Sequence, residues 1–209
     1  MRPLPRLLAF TDARIAARDD FNLRAAAIAS VGPSVGLVAR LPGASADALS
    51  ALAERFVALA RAPMAAVLVT GRADIARAAS THGVIAREGD LPLAAMRQVT
   101  GGSDYFHLRS VHDLAAARAA VDEGADALVV GTIWPSASHP GRPGAGLALI
   151  EATARLGCPV FAIGGVTIAR AREARAAGAW GVAAIGAVWE AAESNEAAVG
   201  LVEAMIENR

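Results

Sequence analysis

Residues 159–166 read Pro159-Val160-Phe161-Ala162-Ile163-Gly164-Gly165-Val166, an apolar run closed by two glycines and followed by a helical stretch. Apolar residues bounded by proline and glycine fit a short buried strand. A strand that ends in glycines and turns directly into a helix is one β-α unit. At such a turn an anion such as phosphate can approach backbone N–H groups, and the helix amino terminus favours its charge. A similar turn, Ala184-Ile185-Gly186-Ala187, follows the next apolar run.

The same alternation extends through the chain. Runs rich in Val, Ile and Leu at residues 7–10, 36–40, 66–70, 83–86, 105–109, 127–131, 160–163 and 181–185 read as strands. The clearest helical stretches between and after them cover residues 46–61, 73–81, 114–123, 146–156, 168–177 and 195–208. Gly124 and Gly178 stand just past two of these, where a left-handed C-cap belongs. Eight strands alternating with helical stretches predict an α/β chain folded as one (β/α)₈ TIM barrel spanning residues 1–209. At this length the barrel is near its lower size limit and its loops must be short.

Composition narrows the function. Hydrophobic residues make up 55% of the chain and aromatic ones 4%, so the core is built from Ala, Val, Leu and Ile. The formal net charge is zero with no block of like charge, which argues against nucleic acid and anionic membranes as partners. The first residues, Met1 to Arg6, lead into an apolar run interrupted by Thr11 and Asp12; it is too short and too polar for a signal peptide or membrane span, and a cytoplasmic location is expected. Cys158 is the only cysteine, which excludes an internal disulfide and multi-cysteine metal sites, and it reads as structural. All 20 basic residues are arginine, so Schiff-base chemistry through lysine is excluded. Whether the chain forms a homo-oligomer is left open.

Barrel active sites form where strands end. Gly164, Gly165 and Gly186 are the candidate phosphate turns, since barrels frequently bind phosphate between the loops after strands seven and eight. Ser110-Val111-His112 is read as following the fifth strand, which makes His112 the candidate acid/base. The Pro/Gly-rich stretch 134–146 after the sixth strand carries Ser136, Ser138, His139 and Arg142, a polar cluster suited to phosphate oxygens. His107, inside a strand, and His82, at a helix end, read as structural. Of Asp12, Asp74 and Asp90, only Asp90 stands at the depth a magnesium ligand would need.

Ser110-Val111-His112, Gly124-Ala125-Asp126-Ala127, the run from Gly131 to His139, Ala162-Ile163-Gly164-Gly165 and the run from Gly181 to Ala187 together resemble the thiamine phosphate synthase/TenI family of barrels. In the synthase branch the resemblance implies a carboxylate pair that holds Mg²⁺ on a pyrimidine pyrophosphate. Gly71 stands where the first carboxylate is expected and Asp90 matches the second. Of the run expected after the second strand only Arg40 is kept, and His139 replaces a loop lysine, while Ser136 and Ser138 remain. These departures remove charge stabilisation that a pyrophosphate-displacing transferase uses. The first expectation is therefore a metal-independent thiazole tautomerase without cofactor, with His112 as acid/base and a small phosphorylated heterocycle as its ligand. The alternatives are a divergent synthase, with Mg²⁺, and a barrel that only binds a phosphate ester.

Overall fold

The fold is that of a computed structural model, which describes residues 2–60, 65–102, 104–136, 141 and 143–206. Eight parallel strands close into a barrel in sequence order: β1 (Leu7–Phe10), β2 (Val35–Ala39), β3 (Ala66–Thr70), β4 (Gly83–Ala86), β5 (Phe106–Val111), β6 (Ala127–Gly131), β7 (Val160–Ile163) and β8 (Gly181–Ala184). The surrounding helices are α1 (Ala13–Ala16), α2 (Phe21–Ala29), α3 (Ala46–Leu59), α4 (Ala73–Ala78), α5 (Leu93–Thr100), α6 (Leu114–Asp122), α7 (Leu147–Ala154), α8 (Ile168–Ala176), α9 (Gly186–Trp189) and α10 (Ser194–Ile206). The expected TIM barrel is the observed one. Among the described residues no helix is long and apolar enough to cross a membrane.

Strand boundaries differ from the sequence reading where pairing extends an element. β5 continues past Arg109 because Ser110 and Val111 pair with Val129 and Val130 of β6. Ser110 therefore lies inside the strand, and only His112 follows it. β2 stops at Ala39, which leaves Arg40 as the first residue of the loop above it.

Helix starts follow local capping chemistry. Asp12, Ser45, Asp113 and Thr167 each accept a backbone N–H three residues on, from Ile15, Ala48, Ala116 and Arg170, which satisfies one of the donors a helix leaves free at its start. The strand period of two then separates two cores. Leu8, Phe10, Val38, Leu68, Ile85, Leu108, Val129, Phe161 and Ala183 fill the barrel interior. Their neighbours, including Leu7, Ala9, Leu37, Val67, Val84 and Val160, pack outward against the helices. This parity decides the mouth. Extending the inward series of β2, β4 and β5 by one step beyond Val38, Ile85 and Leu108 reaches Arg40, Arg87 and Ser110.

Candidate active site

A cavity of about 600 Å³ occupies the barrel mouth at the carboxyl ends of the strands, a size suited to a small ligand. Ser110, His112, Gly131, Ser136, Gly164, Gly165, Gly186 and Arg40 all line it. The turns after β7 and β8 thus meet at one end of the barrel. Ser138, His139 and Arg142 lie outside the described residues. Arg14, Arg87 and Arg170 complete the wall with Glu88 and Glu190; sequence reading singled out none of these three arginines, although the inward parity of β4 points to Arg87.

The β7 turn needs glycine. Gly164 has φ +99° and Gly165 φ +63°, and a Cβ on Gly165 would sit 2.5 Å from the Pro135 carbonyl oxygen and 3.0 Å from Trp134 Cβ. Both carbonyls are engaged: Gly164 O accepts from the Trp134 N–H at 3.3 Å and Gly165 O from Arg170 Nη1 at 2.6 Å. Neither is left to repel an anion. The Arg170 guanidinium also lies over the Trp134 ring, 5.5 Å from its centre, and so ties the β6 loop to α8. In the same wall, Ser136 Oγ is buried without a hydrogen-bond partner among the described residues. A buried hydroxyl left unpaired is costly unless a ligand or water completes it.

Arg40 is held from below by Thr11, whose buried hydroxyl accepts from the Arg40 N–H at 3.0 Å and bonds the Arg40 and Val38 carbonyls at 3.1 and 3.2 Å. Burial pulls the Arg40 guanidinium below its ordinary value; Asp12 opposes this and Arg87 adds to it. Among the described residues Arg40 has no ion-pair partner. Arg14 does: Glu190 at 2.7 Å and Asp12 at 3.3 Å.

His112 donates from Nδ1 to the Gly131 carbonyl in a very short hydrogen bond. That bond anchors the end of β6, and Nε2 is the ring nitrogen left free of it.

Magnesium does not fit the residues present. Asp90 Oδ2 accepts from the Arg87 backbone N–H at 2.7 Å and from Nε at 3.0 Å, while Oδ1 accepts from Nη2 at 3.0 Å. The hydrogen bond with Asp90 raises the Arg87 pKa. Gly71, at φ +72°, offers no side-chain ligand, and a Cβ there would lie 2.6 Å from Arg87 Nη2. Asp12 caps α1 and Asp74 pairs with Arg72 at 2.5 Å. Among the described residues no three His, Cys, Asp or Glu side chains group as a metal site.

The other histidines and the cysteine lie at the opposite, amino end of the strands. His107 is fully buried; its ring meets Arg97 Nη1 at 3.2 Å and Thr100 Oγ1 at 3.0 Å, and its backbone N–H donates to Asp126 at 2.7 Å. Burial raises the Asp126 pKa, but hydrogen bonds from His107 and Arg97 outweigh it and hold the carboxyl low. His82 Nδ1 accepts the Val67 N–H at 2.9 Å, and burial with nearby Arg2 lowers its pKa to about 4. Burial pushes the Cys158 thiol up to about 11, with Asp126 adding to the rise, so it is a poor nucleophile at neutral pH.

Comparison with known proteins overturns the isomerase expectation. The chain is 36% identical over 210 residues to the thiamine-phosphate synthase of Salinispora tropica, covering 98% of this chain and 99% of that one. It is 41% identical over 167 residues to the thiamine-phosphate synthase of Mycolicibacterium gilvum, covering 79% of this chain and 68% of the relative. The thiamine phosphate pyrophosphorylase structure from Pyrococcus furiosus superposes with a TM-score of 0.79 at 25% identity, with 97% of each chain covered. The relatives carry the synthase name, so the transferase reading held as the alternative replaces the tautomerase. Residues 7–188 match the thiamine monophosphate synthase family, and the chain belongs to that family.

Proposed function

We propose that this protein is a thiamine-phosphate synthase that joins a pyrimidine pyrophosphate to a thiazole phosphate and releases pyrophosphate. The observation that carries the reading is the end-to-end similarity to the Salinispora tropica synthase. The geometry of the mouth supports it. One cavity has glycine turns on β7 and β8 and arginines above β2 and β4, on the far side of the closed barrel, as two anionic substrates require.

In this reading Gly164, Gly165 and Gly186 receive the thiazole phosphate, with Ser110 and Ser136 supplying hydroxyls from the intervening wall. Arg40 receives the pyrophosphate. A thiazole ring nitrogen attacks with its lone pair and carries no proton to remove, so the step needs no general base. His112 therefore acts by holding the Gly131 carbonyl, and with it the loop that carries Ser136. Catalysis rests on orientation of the two substrates and on positive charge at the departing pyrophosphate. The ligands are small phosphorylated molecules.

Incubating the purified protein with both precursors and following thiamine phosphate by mass spectrometry tests the reading. Formation of thiamine phosphate and pyrophosphate in equal amounts is the expected result. Binding of both precursors without product would leave a barrel that only binds, and would overturn it.

A further inference from the structure

We propose that the Arg87 guanidinium takes the place of a divalent cation in this barrel, and that Arg87 and Arg40 together bind the pyrophosphate group without metal. The ligand's identity rests on the synthase reading above; the cation's identity rests on the geometry. Arg87 follows Gly83 and Ile85 on the inward side of β4 and lines the mouth cavity with Arg40. Its Nη2 and Nε atoms lie 2.6 and 3.0 Å from where a side chain at Gly71 would begin, and Asp90 Oδ2 lies at 2.9 Å from the same point. The space where a side chain at residue 71 would begin is thus occupied by the Arg87 guanidinium, which both oxygens of Asp90 hold.

Asp90 is the remaining acid of the pair, and both of its oxygens face that charge. A guanidinium has five N–H groups, and this fork uses two of them, Nε–H and one on Nη2. Arg40 brings a second cation to the same cavity, half-buried and without an ion-pair partner among the described residues, and the Arg87 charge works against it. Two like charges held together at a cavity wall are relieved by an anion between them, and arginine forks match phosphate oxygens in pairs. Local charge is conserved as well. A divalent ion between two carboxylates and a guanidinium on one carboxylate are both neutral overall, so Arg40 meets the same background in either arrangement.

Titration calorimetry with inorganic pyrophosphate tests the proposal, in EDTA and again with magnesium. The expected result is binding in EDTA, changed less than about threefold by magnesium, and weakened about 10- to 100-fold in Arg87→Gln, in line with loss of charge-assisted hydrogen bonds. Asp90→Asn is expected to bind at least as tightly as wild type in EDTA, because it frees the Arg87 fork. If Arg87→Gln does not fold, Arg87→Lys keeps the charge without the fork and is expected to weaken binding as well. Binding that appears only with magnesium, or Arg87 variants with wild-type affinity, would overturn the proposal. Pyrophosphate binding in EDTA without thiamine phosphate formation would remove the synthase reading and support the arginine site. Turnover with magnesium-dependent pyrophosphate binding would do the reverse.

Discussion

Substituting alanine for Gly165 separates a functional glycine from an ordinary turn glycine. At φ +63° an alanine costs about 1–2 kcal/mol in backbone strain. Its Cβ would also stand 2.5 Å from the Pro135 carbonyl oxygen, a backbone atom that cannot swing aside. Forced displacement of packed atoms adds about 1–3 kcal/mol, for a total of about 2–5 kcal/mol. Gly124 provides the control, because it has φ +79° with nothing within 4 Å of the position a Cβ would take. Gly124→Ala thus bears only the conformational term, partly offset by a stiffer unfolded chain. Urea unfolding should place Gly165→Ala at least about 1 kcal/mol below Gly124→Ala, with inorganic phosphate affinity lost in the former alone. Equal stabilities and equal phosphate affinities for the two variants would refute the close-approach argument.

Three further outcomes are expected. His82 accepts a backbone N–H and is held neutral, with its pKa lowered to about 4 from 6.5. Its contribution is complete above pH 6.5, falls between pH 6.5 and 4, and is constant below that. After discounting for its partial exposure, the pH-dependent part is about 1–2 kcal/mol, and His82→Gln should flatten the unfolding profile by that amount in that window. His107→Leu keeps the backbone N–H that Asp126 accepts but removes the ring partner of Thr100 Oγ1 and Arg97 Nη1, and should cost about 1–3 kcal/mol in urea unfolding, with no change in phosphate affinity, because it lies at the far end of the barrel. Ser136→Ala removes a hydroxyl that has no partner among the described residues, so melting temperature should hold or rise while turnover falls.

The barrel was legible because its signals are local. Pro159 to Val166 carries the strand, the glycine turn and the helix start in eight consecutive residues, and seven other strands repeat the theme. Helices α1, α2, α5 and α9 are not among those read from the chain: α1 and α9 are four residues each, too short to show a period, and α2 is fixed by packing, with Phe21 stacked on Trp189 at 5.3 Å and on Phe56 at 5.5 Å. The glycine turns, Arg40, Ser136 and His112 could be assigned to the mouth because each follows a strand. Arg87 could not be valued in the same way. Its meaning depends on Gly71 of the neighbouring strand's loop, a contact that exists only once β3 and β4 pair. The tautomerase expectation had the same origin, since loss of a carboxylate looks like loss of the cation until the guanidinium that fills the gap is seen.

A crystal structure of the protein with thiamine phosphate and pyrophosphate, grown in EDTA, tests the account most directly. The ester phosphate is expected at the Gly164–Gly165 and Gly186 turns and pyrophosphate across Arg40 and Arg87. Phosphate groups bound away from these turns, or pyrophosphate absent until magnesium is added, would contradict it.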